Sequence, residues 1–379
     1  MKIITGGVSA PIGYKANGLY CGIKRSGKLD LGLIASEVPA VTAGVFTKNS
    51  VIAAPLIVTK KHLSNNRSQA VVVNSGNANC FTGHFGVLYA ERTCQVIGEL
   101  LNIPADDVLV TSTGIIGKTL PYLKIAAAAP QLVKGLKRSG GGLMAKSILT
   151  TDLINKEIAV KITVGGKAVS IGGCAKGSGM IAPNMATMLG FITSDAAVSA
   201  PMLKLALKTA VDKTFNCITV DGCMSTNDMV TLMTNGLAGN RIIKTSGKDF
   251  KIFCEALTHV CLFLAKKIVE DGEGATKFVE IHCHGAKDEK EARLIAMTVA
   301  NSPLVKTALY GSNPNWGRVA AAVGSLGLNI KEEDLKIRFS SFAKKIIKIH
   351  TDVGRGSAHA VVYTSDLSHE YVTINGKYN

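Results

Sequence analysis

"EIAVKITVGGKAVSIGGCAKG", residues 157–177, alternates apolar and polar positions with a period of two on either side of Gly165-Gly166. That period puts one face of a strand inward, and two adjacent glycines supply the positive φ angles a tight turn needs, so the stretch reads as a β-hairpin. It delivers the chain to "IAPNMATMLGF" (181–191), a small and apolar run containing one threonine, Thr187, between Ala186 and Met188. Working outward, "QAVVVNSGNAN" (69–79) and "DVLVTSTGIIG" (107–117) share a pattern of short apolar run, then a polar Ser/Thr/Gly/Asn stretch. Each reads as a buried strand ending in a turn whose amides are free to face a ligand.

Helical segments lie between these strands. "AAAAP" (126–130) reads as a helix ended or restarted at Pro130. "SAPMLKLALKTAVDKTF" (199–215) has a Pro near its start and apolar residues at helical spacing. "KDFKIFCEALTHVCLFLAKKIVEDGEG" (248–274) has a 3.6-residue period, Lys266 and Lys267 in its last turn and glycines that stop it. "KEARLIAMTVANSPLVKTALYG" reads as helix, "NCITVDGCMSTND" (216–228) as a strand ending in a polar turn, and "TKFVEIHCHG" as a strand. The tail through "SHEYVTIN" (368–375) reads as strand-rich. The alternation predicts an α/β protein with a layered sheet.

Composition bounds the function. The 379 residues are 47% hydrophobic and 18% charged, a globular balance. A net charge of +16 raises nucleic acid as a partner, but the lysines are scattered and aromatics are only 5%, so no stacking platform is supplied and no nucleic acid is expected. Nine cysteines without a CxxC pair suit reduced thiols in a cytoplasm-like compartment. The start, "MKIITGGVSAP", lacks the apolar core of a signal peptide, and 252–269 is interrupted by Glu255, His259 and two lysines, so no membrane partner is expected.

There is no Walker A loop, GxSxG elbow or HExxH. "HCH" (282–284) places His282 and His284 on one strand face; with no third ligand cluster obvious, it reads as an ordinary strand and no metal is expected. "DGEGATK" (271–277) is either a helix-terminating turn or a loop holding Glu273 ready for an ammonium group. "TSTGIIG" (111–117) is either a plain turn or an oxyanion hole made by the Thr113 hydroxyl and the Gly114 amide. Lys176 is either a solvated lysine or a grip for a substrate carboxylate. Thr187 is either a buried strand threonine or a nucleophile. Its hydroxyl would attack the carbonyl of Ala186, exchange amide for ester and, after hydrolysis, leave Thr187 with a free amine as its own base.

"KGSGMIAPNMATMLGFITSDA" (176–196) closely resembles the cleavage and nucleophile segment of the ornithine acetyltransferase family, also called glutamate N-acetyltransferases of arginine biosynthesis. The likeness continues through "AGVFTKNSVIAAP" (43–55), "VVVNSGNANCFTG" (71–83), "VTSTGIIGKTLP" (110–121), "TTD" (150–152), "DGEGATK" (271–277), "NPNWGR" (313–318) and "SHEYVTIN" (368–375). It implies an α/β sandwich with N-terminal-nucleophile hydrolase logic but a distinct topology, plus a smaller α/β subdomain. It implies self-cleavage between Ala186 and Thr187 into an α chain (1–186) and a β chain (187–379), assembled as a heterotetramer of two each. The implied reaction is ping-pong: Thr187 takes acetyl from N-acetylornithine and passes it to glutamate, with no cofactor and with acetyl-CoA as a possible further donor. Thr113 and Gly114 match the oxyanion pair, and Lys176 the ligand of the substrate α-carboxylate. Glu273 matches a ligand of the amino-acid substrate, Asn375 a C-terminal ligand, and Thr150 (with Thr151 its near rival) another substrate contact.

Three departures from the family pattern are expected to touch affinity or donor choice before chemistry. They are an end at Asn379 where a terminal Thr is usual, Cys223 where an acidic residue is usual, and Asn313 in place of Asp. The competing enzyme reading is a self-cleaving aminopeptidase or amidase of related fold, with water as acceptor.

Overall fold

The computed structural model describes residues 1–182 and 188–377. Among these, the chain forms two compact units, one of residues 1–177, 188–214 and 224–264, the other of 178–182, 215–223 and 265–377. Both are α/β, as the alternation of elements predicts, and the second is the smaller.

The first unit carries β1 (Lys2–Ile4), β2 (Tyr14–Leu19), β3 (Leu31–Phe46), β4 (Arg67–Asn77), β5 (Val108–Ile115), β6 (Lys156–Val164), β7 (Lys167–Lys176), β8 (Leu189–Ser194) and β9 (Met229–Thr234). They form one mixed sheet in the order β1-β6-β7-β8-β9-β3-β4-β5, with β2 also paired to β3. The helices are α1 (Ala54–His62), α2 (Gly83–Leu101), α3 (Tyr122–Lys134), α4 (Gly141–Ser147), α5 (Ala200–Asp212) and α6 (Lys248–Glu270), the last belonging to this unit up to Leu264.

The run "AVVV" is continuously apolar because both faces of β4 are covered. Ala70 and Val72 pack with Val108 and Val110 of β5 against Ala90, Cys94 and Ile97 of α2 and Ile125, Ala129 and Leu132 of α3. Val71 and Val73 point the other way, to Leu109, Met144 and Ile148, Phe191 and Met229. The predicted hairpin is present as β6–β7, closed by Gly165 and Gly166 at φ 55° and 76°. Strand β7 pairs antiparallel with β8 from Ile171↔Ser194 to Lys176↔Leu189. The two spatial units therefore do not follow a division at 186/187: segments before and after that point share one sheet.

Two local expectations fail here. Helix α3 continues through Pro130 to Lys134. Pro130 is exposed, and burial of Ile125, Ala129 and Leu132 on the opposite stripe offsets the missing backbone donor. Residues 216–228 form no strand: a 3-10 turn at Phe215–Cys217 gives way to irregular chain, and the strand begins only at Met229.

The second unit holds β10 (Phe278–Ala286), α7 (Glu289–Asn301), α8 (Pro303–Tyr310), α9 (Trp316–Gly324), β11 (Lys336–Phe339), β12 (Ile346–Asp352), β13 (Ala358–Ser365) and α10 (His369–Gly376). Its sheet runs β11-β12-β10-β13, with β10 and β12 parallel and the other pairs antiparallel. One face is apolar: Val279, Ile281 and Cys283 of β10 and Ile347 and Ile349 of β12 pack with Ile295 and Val299 of α7 and Val319 of α9. Alternation puts Glu280, His282 and His284, and Lys348, His350 and Asp352, on the opposite face.

The segment read as one helix is α7 and α8, parted where Ser302 precedes Pro303 and takes an extended conformation (ψ 115°). The strand-rich reading of the tail holds through β12 and β13 and fails only at its end. Residues 369–376 are helical because Ser368 caps the first turn, accepting the Tyr371 amide at 3.2 Å. No helix among the described residues is long and apolar enough to cross a membrane.

Candidate active site

The predicted oxyanion pair lies where β4 and β5 end together. The strands run parallel, with Ser75 opposite Thr113 and Gly76 opposite Gly114, and the register becomes irregular at Asn77. Gly114 has φ 131°, and a Cβ placed there would fall 2.4 Å from the Gly76 carbonyl carbon and 2.6 Å from the Asn77 nitrogen. Only glycine fits, for conformational and steric reasons alike. Polar clamps fix the strand ends. The Ser112 hydroxyl donates to Asn74 Oδ1 (2.6 Å), and Asn74 Nδ2 donates to the Asn77 carbonyl (2.8 Å). Asn227 Nδ2 donates to the carbonyls of both Ala78 (2.7 Å) and Ser112 (2.8 Å). Thr113 is buried at this braced junction, and donors held so rigidly can stabilise a developing negative charge without reorganising.

Lys176 ends β7 and is buried. Its charge acts on Asp152, which also binds Lys156 Nζ (2.8 Å), the Gly177 amide (2.7 Å) and, through Oδ2, the Thr150 amide (2.9 Å). Burial opposes ionisation of Asp152, but Lys176, Lys156 and these bonds hold its carboxyl well below the usual carboxylate range. Two predicted residues, Thr150 and Lys176, are thus gathered around one buried carboxylate. Lys24, which the sequence did not single out, joins them. Burial lowers its pKa to about 8, Asp30 and Asp152 oppose that, and Lys176 reinforces it. Its Cγ lies 3.0 Å from where a side chain on Gly76 would begin. The result is a cationic wall able to hold a carboxylate.

Thr187 and Ala186 lie outside the described residues. The neighbouring Met188 amide donates to Asp228 Oδ1 at 2.9 Å, while Asp228 Oδ2 has no hydrogen-bond partner among the described residues. Burial pushes the Asp228 carboxyl well above its ordinary pKa, against the Met188 bond and the Lys176 charge. This carboxyl was also missed. Its only signal in the sequence is an aspartate placed directly before the apolar run "MVTLM" (229–233).

In the second unit, Glu273 and Asn375 meet: Asn375 Nδ2 donates to Glu273 Oε2 at 2.8 Å. The Glu273 amide donates to the Ser178 carbonyl (2.8 Å). Its carboxylate occupies the space a side chain on Gly179 would need, with all three carboxyl atoms within 2.6 Å of that Cβ position. Helix α10 makes the pairing, since it turns Asn375 back over Tyr371, whose carbonyl accepts its second bond (3.0 Å). Asp221 anchors the preceding segment by accepting the amides of Met180 (2.6 Å) and Ile181 (3.0 Å) and the Tyr371 hydroxyl (3.3 Å). Cys223 is exposed and donates its amide to Asp221 Oδ1 (3.1 Å), so the acidic group of this loop is Asp221.

Comparison with known proteins supplies the relationship. The model of the ArgJ family matches residues 15–346. The arginine biosynthesis bifunctional protein ArgJ of Gloeobacter violaceus is 44% identical, over 99% of this chain and 98% of that protein. The protein of the same name from Thermotoga neapolitana is 45% identical, over 97% and 99%. Among solved structures, the ornithine acetyltransferase of Mycobacterium tuberculosis complexed with ornithine is 38% identical, covering 48% of this chain and 97% of that one with a TM-score of 0.45. A family match over most of the chain and full-length identity above 40% make one conclusion plain: this chain belongs to the ArgJ family.

Proposed function

We propose that this protein is an ornithine acetyltransferase of arginine biosynthesis, moving acetyl from N-acetylornithine to glutamate. Full-length similarity to bifunctional ArgJ proteins carries the reading, and the braced Thr113–Gly114 junction supports it. The chain cuts itself between Ala186 and Thr187, freeing the Thr187 amine. That amine takes the Thr187 hydroxyl proton as Oγ attacks the acetyl carbonyl. The Thr113 hydroxyl and Gly114 amide receive the oxyanion. As the C–N bond breaks, the proton passes to the leaving nitrogen of ornithine. Glutamate's free amine then attacks the acetyl ester, and N-acetylglutamate leaves with Thr187 restored.

Lys176 holds the substrate carboxylate, with Thr150 beside it, and Glu273 and Asn375 are ligands of the amino-acid substrate. No cofactor takes part, and acetyl-CoA is a second donor for the same acetyl-threonine. The processed chains act as a cytoplasmic heterotetramer, two α and two β.

Incubation with N-acetylornithine and labelled ornithine, without glutamate, tests the acetyl-enzyme. Label entering N-acetylornithine is expected. Adding glutamate should then give ornithine and N-acetylglutamate in equal amounts. Ornithine and free acetate, undiverted by glutamate, would instead identify an amidase.

A further inference from the structure

His282, His284 and His350 take no part in the acyl-transfer chemistry, yet the second unit gathers them. His282 and His284 are two residues apart on β10 and share its polar face, and the parallel register sets His350 of β12 directly beside His282. Each offers one nitrogen, and the three nitrogens lie within 4.8 Å of one another. His284 Nε2 and His350 Nδ1 are already 3.5 Å apart. The rings stand nearly parallel, with His282 and His350 centroids 4.6 Å apart. A zinc ion at about 2.0–2.1 Å from each nitrogen needs them roughly 3.3 Å apart in tetrahedral geometry. Small rotations of side chains on a fixed strand pair supply that contraction.

We propose that His282, His284 and His350 bind a divalent late transition-metal ion of the zinc class, with a fourth position facing the cleft beside them. Three imidazoles and an open position form a recurrent donor set for such ions. The surroundings fit. Glu280 Oε2 lies 3.3 Å from His282 Nε2, a carboxylate–imidazole contact that fixes ring orientation and raises donor strength. The adjoining cleft, about 330 Å³, is lined by His284, His350, Lys336, Arg338 and Asp352. Its lysine and arginine favour an anion, such as hydroxide or a carboxylate, at the fourth position.

The test uses full-length, tag-free protein stripped with chelator, titrated with Zn²⁺ by calorimetry and with Co²⁺ by visible absorption. The expected result is one equivalent bound, a cobalt spectrum of nitrogen and oxygen ligation, and a higher unfolding temperature with Zn²⁺. His282→Gln/His350→Gln should weaken binding at least a hundredfold and abolish the thermal shift, whereas His84→Ala should leave both unchanged. All three imidazoles lie on a partly exposed sheet face, and acetyl transfer by the double variant checks that it is folded. No saturable binding by the wild type, binding unchanged in the double variant, or a thiolate charge-transfer band with Co²⁺ would each overturn the proposal.

Discussion

Asp228 Oδ1 accepts the backbone amide of Met188 at 2.9 Å, one residue beyond Thr187, while Oδ2 finds no partner among the described residues. Dry surroundings keep this carboxyl protonated well above its ordinary pKa. A group whose folded pKa is raised favours the folded state fully only below its unfolded pKa of about 3.9, and that contribution is lost as pH rises. Asp228→Asn, the uncharged isostere, should therefore stabilise the fold relative to wild type by an amount that is near zero at pH 3.5 and grows toward neutrality. Denaturant unfolding of both proteins across this range checks the sign. A gap that does not widen with pH would contradict the buried, neutral assignment.

Asp152 predicts the opposite slope. Its carboxyl is held well below the usual carboxylate range, so its contribution is present above about pH 4 and is lost on acidification. Both Asp152 and Lys156 are fully buried, and Asp152→Asn leaves the lysine charge without its counter-ion. The expected loss at pH 7 is about 3–5 kcal/mol, the usual penalty for breaking a buried pair from one side. Lys156→Met alongside it should recover part of that loss, and equal instability of the single and double variants would count against the pair.

Gly114 tests the oxyanion junction without removing a polar group. In Gly114→Ala the new methyl would overlap the Gly76–Asn77 peptide, forcing β4 and β5 apart at their ends. Because one misplaced donor typically slows acyl transfer by about 10²–10³-fold, kcat should fall by at least the lower figure. A lysine-side variant such as Lys24→Met should act chiefly on the KM for carboxylate-bearing substrates. Comparing steady-state kinetics of the two variants separates donor placement from substrate grip.

Asn375→Ala removes the donor to Glu273 Oε2. As a proposed ligand of the charged amino-acid substrate, worth about 1.5–3 kcal/mol for a hydrogen bond to a charged group, Asn375 on removal should raise KM for N-acetylornithine roughly tenfold or more. Turnover at saturation should change much less, as expected of residues proposed to bind substrate and not to take part in the bond-making step. A fall in kcat at constant KM would remove the pair from substrate binding.

How much of this was legible in the sequence depended on whether the cause was local. The strands β4 and β5 and the hairpin at Gly165-Gly166 were readable because burial on two faces and a turn both leave marks within ten residues. The turn that carries Thr113 and Gly114 was readable for the same reason, while their role as donors was implied by the family resemblance alone. The helix through Pro130 was not, since tertiary burial of Ile125 and Leu132 outweighs a local breaker. Only the end of the tail, 369–376, was misread as strand, because its cap, Ser368, competes with a β-branched run that points the other way. The least legible features depend on distant partners: Lys24 and Asp152 meet across more than a hundred residues, and His350 reaches His284 across 66. The metal-free reading of "HCH" followed from lacking that third imidazole, which only strand register supplies.

Intact mass with N-terminal sequencing of the purified protein tests directly whether Thr187 becomes an N-terminal nucleophile. Two fragments are expected, residues 1–186 and 187–379, the second beginning Thr-Met-Leu-Gly. Catalytically active protein that remains a single uncut chain would contradict that role for Thr187.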